Sequence, residues 1–65
     1  MDELVSGMTV NERLFHFGLY ESFDLAAKSR NYEALVRLLV QIRFSEEQAE
    51  ETARTLLADP KRYGY

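Results

Sequence analysis

Glu12 and His16 come closest to a chemical site in this chain, because a spacing of four residues puts both on one helix face. Together they would be half of a metal site. A stable zinc site needs three or four ligands, drawn mostly from His and Cys. His16 is the single histidine and cysteine is absent, so the pair reads as a helix-surface contact. Glu46, Glu47, Glu50 and Glu51 form a second cluster. Its chemistry would be the docking of a basic partner or the weak holding of a divalent cation. Carboxylates at the start of a helix also complement the macrodipole, at about 0.3–1 kcal/mol each, and that structural role accounts for them. No loop carries the oxygen-ligand spacing of a calcium site. Ser6, Ser22, Ser29 and Ser45 are hydroxyl nucleophiles, yet nothing pairs the lone imidazole with any of them. Phosphate-cradling glycine loops are missing. A chain of 65 residues leaves little room for the roughly 300 Å³ or more of a small-molecule pocket. The residue set therefore predicts no enzyme, no cofactor, no metal and no small-molecule ligand.

Phe15, Phe17, Tyr20, Phe23, Tyr32 and Phe44 concentrate aromatic rings in the first two thirds. Single-strand binders interleave such rings with basic residues. Here Arg13, Lys28, Arg30, Arg37 and Arg43 are scattered, and the net charge is −3. Residues 1–30 carry five acids and three bases, and residues 31–65 carry six and five, so there is no basic arm to attract phosphate. The aromatics read as core, with Phe15 off the main apolar stripe.

The elements that would position these groups are marked by local spellings. Thr9-Val10-Asn11-Glu12 and Ser45-Glu46-Glu47-Gln48 are both helix capping boxes. Val10, Leu14 and Phe17 fall on one helix face, and after Gly18 the positions Leu19, Phe23 and Ala26 repeat that spacing, with Tyr20 and Ala27 beside them. In one unbroken helix the two stripes would lie on nearly opposite sides. A break at Gly18 resolves this, since glycine accepts the left-handed conformation that ends helices. The alternative is a continuous helix over 10–29, buried on both sides. Lys28-Ser29-Arg30 suits a helix end, and Asn31 reads as the next cap.

A third helix over about 32–43 carries Leu35, Leu38, Leu39 and Ile42, widened by Val36 and Val40. Its apolar arc spans roughly 200°, against about 100° for an ordinary surface helix. Glu33, Ala34, Arg37 and Gln41 mark its solvent face. Such a helix is covered from two directions, either as the centre of the monomer or by a second chain. The fourth helix turns Ala49, Thr52, Ala53, Leu56 and Leu57 inward and ends at Asp59-Pro60. Read as a helix-turn-helix, the last two helices would aim four carboxylates at the major groove, which weighs against DNA binding. The tail over 61–65 is too short for an element, with tyrosines able to fold back. Met8 could serve as an alternative start or as the hydrophobic residue before the first cap.

Asn11-Glu12-Arg13-Leu14-Phe15, Gly18-Leu19, Phe23-Asp24 and Asp59-Pro60-Lys61-Arg62-Tyr63-Gly64 together resemble short bacterial helical proteins of about this length. The likeness covers most of 9–64 and implies a bacterial, cytosolic, free-standing small protein, with no site residues to transfer. Arg43-Phe44-Ser45-Glu46-Glu47-Gln48-Ala49 is similar to part of ubiquitin-associated three-helix domains. Ile42-Arg43-Phe44 lacks the Met and Gly of that loop, and the likeness is not adopted.

These readings predict an all-α protein, a single small bundle of four short helices with the third central. Residues 1–8 would be a flexible leader, 9–60 the helical domain and 61–65 the tail. No apolar run approaches the roughly 20 residues that span a bilayer, and the start lacks a secretory pattern, so a cytoplasmic protein away from membranes is expected. The expected role is a protein–protein interaction module or accessory subunit, binding a partner or itself. Phe15, Val36, Val40 and Leu57 are the expected contact face, because the internal stripes use them least. A nucleic-acid-binding helical protein, or a small inhibitor encoded by mobile DNA, are the alternatives.

Overall fold

A computed structural model describes residues 7–65. Within them α1 spans Val10–His16, α2 Tyr20–Lys28, α3 Tyr32–Gln41 and α4 Glu46–Ala58, followed by a 3₁₀ helix over Pro60–Tyr63. Residues 1–6 of the expected leader lie outside the described residues, and Met8 is half-buried just before Thr9.

Both capping boxes form. Thr9 Oγ1 accepts the Glu12 N–H at 3.2 Å while Glu12 Oε1 accepts the Thr9 N–H at 2.8 Å. Ser45 and Gln48 exchange the same pair of bonds at 3.1 and 3.2 Å. Asn31 Oδ1 caps α3 through the Ala34 N–H at 3.2 Å.

The first three helices end alike. At Gly18, with φ +69°, the Leu19 N–H reaches Leu14 O at 2.8 Å and the Gly18 N–H reaches Phe15 O at 3.1 Å. This crossed pair is a Schellman motif, which satisfies the last carbonyls of the helix. It breaks the chain where glycine predicted and removes the continuous-helix alternative. Arg30 (φ +58°) ends α2 with the same pair of bonds, from Asn31 to Ala26 at 2.9 Å and from Arg30 to Ala27 at 3.1 Å. Arg43 (φ +79°) ends α3 likewise, from Phe44 to Leu39 at 3.1 Å and from Arg43 to Val40 at 3.0 Å. A left-handed residue with a Cβ costs roughly 1–2 kcal/mol. Arg30 offsets part of this: its Nη1 donates to Ala27 O at 2.7 Å and its Nη2 to the Tyr65 main-chain oxygen at 3.1 Å. Helix α4 cannot end this way, because Pro60 has no N–H and a φ locked near −65°.

Helix α3 lies at the centre, packed on α2 and, more extensively, on α4, while α1 packs on α2. Leu35, Leu39 and Ile42 are fully buried with Ala49, Ala53 and Leu56 of α4, Phe23, Ala26 and Ala27 of α2, and Leu14 of α1. The fold is thus the expected all-α bundle of four short helices with the third central. The wide apolar arc of α3 is met by α2 on one side and α4 on the other.

Four local expectations are corrected. Helix α3 stops at Gln41 rather than 43, because Arg43 turns left-handed. The tail is a 3₁₀ helix closed at Gly64 (φ +88°), where the Tyr65 N–H reaches Pro60 O at 2.9 Å. Ala34 packs against the core instead of marking a solvent face, and Tyr20 stands exposed instead of flanking the inner stripe. Among the described residues no helix is long and apolar enough to cross a membrane.

Candidate interaction face

The turn at Gly18 sets the geometry of the outer side of α1 and α2. Phe15 is in the last turn of α1 and Tyr20 opens α2, so the Schellman turn brings their rings together at 5.8 Å between centroids, tilted by 53°. Phe15 is 77% exposed and Leu25, further along α2, 67%. Tyr20, Glu21, Asp24 and Leu25 line one open hollow of about 420 Å³. Tyr20 pairs in helical spacing with Asp24, and Glu21 with Leu25, which interleaves apolar groups and carboxylates on one surface. Asp24 holds Lys28 Nζ at 3.0 Å. Tyr65, in the C-terminal turn, packs against the core. Its phenol is pushed above the ordinary value, first by burial, then by the Asp24 carboxylate and by Tyr20.

The four residues expected at an interface separate into two pairs. Phe15 and Val40 are exposed, Val40 at 39%. Val36 and Leu57 are half-buried and pack against the core. Val36 and Val40 share a face of α3 with a one-turn spacing, whereas Phe15 keeps its ring contact with Tyr20. Tyr20 and Leu25 were missed from the sequence. Leu25 lies away from Phe23 and Ala26 on α2, which was the available signal for it, whereas Tyr20 shares the helical spacing of Phe23 and Ala27 and gave none.

Two arginine–aromatic contacts were also missed. The Arg13 guanidinium of α1 sits 4.8 Å from the centre of the Phe44 ring, and its Nη1 donates to Ile42 O at 3.4 Å. In return, Arg43 sits 5.2 Å from the centre of the Phe17 ring of α1. Each contact is worth about 0.5–2 kcal/mol. Together they clasp α1 to the turn between α3 and α4. The signal was the one-turn spacing of Arg13 and Phe17 beside the adjacent pair Arg43-Phe44.

The residues singled out for chemistry have local partners. Glu12 turns back onto Thr9, and His16 meets the Phe17 ring edge-on at 4.9 Å. Glu46, Glu47, Glu50 and Glu51 are exposed at the start of α4. Among the described residues no group of three or more His, Cys, Asp or Glu is placed to hold a metal ion. The expected lack of room for a pocket is corrected. An open groove of about 610 Å³ runs between the start of α1, α4 and the C-terminal turn, lined by Val10, Phe23, Thr52, Thr55, Leu56 and Tyr63 among others. Size therefore gives no ground against a small ligand there.

With the fold defined as a small four-helix bundle, comparison with known proteins adds no relative. No protein-family model matches the chain, and no curated protein or solved structure matches it significantly.

Proposed function

We propose that this chain is a protein–protein interaction module or small accessory subunit, which contacts its partner through the outer side of α1 and α2. The observation that carries this reading is that Phe15 and Tyr20 stand outside the core in ring contact, with the exposed Leu25 sharing a hollow with Tyr20. Large apolar side chains left together on a surface, rimmed by polar groups, are the mark of a contact face. Phe15 is its anchor, and Val40 on α3 offers a second, smaller contact. Burying one such side chain on binding contributes about 1.5–3 kcal/mol. Val36 and Leu57 add less, since part of their surface already faces the core. The reading assumes a cytoplasmic protein with no chemistry of its own. The nucleic-acid alternative has less support, because Arg13, Arg30 and Arg43 are engaged with aromatic rings or main-chain carbonyls of the fold.

Affinity capture from host cells with the wild-type chain and with Phe15→Glu tests the reading. A partner retained by the wild type and lost by the variant, with equal helicity of the two by circular dichroism, is expected. Identical captured sets would overturn it. Sedimentation at high concentration tests self-association: a mass that stays monomeric removes a homodimer.

A further inference from the structure

We infer that the α1–α2 face takes an arginine-bearing segment of a partner protein. The inference rests on the interaction reading above and names the chemistry that reading leaves open. Two kinds of group meet on this surface. Phe15 and Tyr20 offer exposed rings whose centroids lie 5.8 Å apart, and the adjoining hollow carries the Glu21 and Asp24 carboxylates beside Tyr20 and Leu25. Asp24 already has Lys28 as its counter-charge, but a purely apolar partner would bury the Glu21 carboxylate without one, which is costly. A compact ammonium would satisfy the carboxylates and gain less from the rings. A guanidinium uses both, since its plane stacks on an aromatic face while its edge donates to a carboxylate.

The fold itself repeats this chemistry inside. Arg13 lies over Phe44 and Arg43 over Phe17, so two of the chain's rings already carry an arginine. Phe15 and Tyr20 meet at a tilt of 53° with both rings exposed, and among the described residues neither arginine of these contacts lies over them. Asp24 is held by Lys28 at 3.0 Å, which leaves Glu21 as the carboxylate best placed to receive an incoming charge. Charge also decides against a second copy of this chain as the occupant. Two copies joined through the same face would bring Glu21 of one no unpaired cation from the other, since Lys28 on that face is already held by Asp24. The net charge of −3 adds long-range attraction for a basic segment.

The test uses short capped peptides of arginine and leucine in a glycine–serine background, followed by amide NMR on the full chain. Matched peptides replace arginine by lysine, or remove the cations and keep the leucines. Shifts clustered at Phe15, Tyr20, Glu21 and Leu25 are expected with the arginine peptide. Its affinity should exceed that of the lysine peptide by about two- to fivefold, the range set by an exposed cation–π contact. Glu21→Gln should weaken it by a similar factor at low salt. Phe15→Leu with Tyr20→Leu should remove the arginine preference while leaving the fold and the apolar area in place. Equal binding of the lysine or leucine-only peptide at this face would overturn the inference and leave the interaction reading standing. Shifts elsewhere, or none, would overturn the inference, while capture that still depends on Phe15 would preserve the broader reading. A protein mass that rises with concentration and is reset by Phe15→Glu would replace the arginine segment with a second copy.

Discussion

The α3–α4 pair and the α1–α2 pair are built with similar proportions of apolar residues and use them differently. Leu35, Leu39, Ile42, Ala49 and Ala53 are all sealed inside, so α3 and α4 turn nearly all their packing inward, with Val40 the main exception. Leu14, Phe23, Ala26 and Ala27 do the same for α1 and α2, yet Phe15, Tyr20 and Leu25 stay outside. The first pair has the apolar residues its packing needs; the second has more. On α1 and α2 that surplus stays at the surface, whereas on α3 and α4 nearly all of it is packed away.

The sharpest way to break this comparison is to truncate one leucine on each side. Leu39→Ala empties a fully buried site on α3, and about 2–5 kcal/mol of stability should be lost, enough to unfold much of so small a domain. Leu25→Ala should change stability by no more than about 0.5 kcal/mol. Urea denaturation of both variants is the measurement; equal losses would erase the distinction.

Removing the clasp between the two halves comes next. Arg13→Met keeps the aliphatic stem, and loses the contact with Phe44 and the bond to Ile42 O. A loss of about 1–2 kcal/mol is expected in the same assay, and amide exchange in α1 should quicken before exchange in α3 does. Uniform quickening would place α1 in the same cooperative unit as the α3–α4 pair.

The caps should give a smaller effect. Ser45→Ala removes one partner of the α4 capping box and should cost about 1 kcal/mol, seen as a lowered thermal midpoint. Thr9→Ala touches the shorter α1 and should show its effect mainly in local amide exchange.

The pH dependence of Tyr65 is the smallest effect. A folded-state pKa above the ordinary 10.0 means that the fold favours the neutral phenol. That stabilisation is complete below the unfolded value and is lost as pH rises through the folded one. The denaturation midpoint should therefore fall above about pH 10, the ordinary value for a tyrosine, and Tyr65→Phe should flatten the fall. An unchanged profile in the variant would show that the Tyr65 phenol is not the group responsible.

Legibility in the sequence followed the range of the interaction. The two capping boxes, the Asn31 cap, the Gly18 break and the Pro60 stop were readable because each involves groups within a few residues of one another. The inward stripe of α3 was readable because burial follows helical period. Arg30 and Arg43 marked turns only by position, since arginine seldom adopts φ values of +58° and +79°, and nothing local announces it. Phe15 stood off the stripe in the sequence and stands outside the fold. Tyr20 was not separable from core residues, because helical period gives an arc and not its edge; Leu25 lay off the Phe23 and Ala26 stripe. The groove of about 610 Å³ was invisible, as it depends on where the C-terminal turn comes to rest against α4 and α1.

The sequence by itself determined the caps that start α1, α3 and α4, the breaks at Gly18 and Pro60, and the main inward stripe of each helix. Hydrogen bonds at caps and turns join near neighbours, and an apolar stripe is a property of one helix. Tertiary structure alone decided which arginine covers which ring, where Tyr65 lands, and which apolar side chains find no place inside. Those outcomes depend on how four helices meet in space, and the core closes around the side chains that fit, leaving Phe15, Tyr20 and Leu25 at the surface.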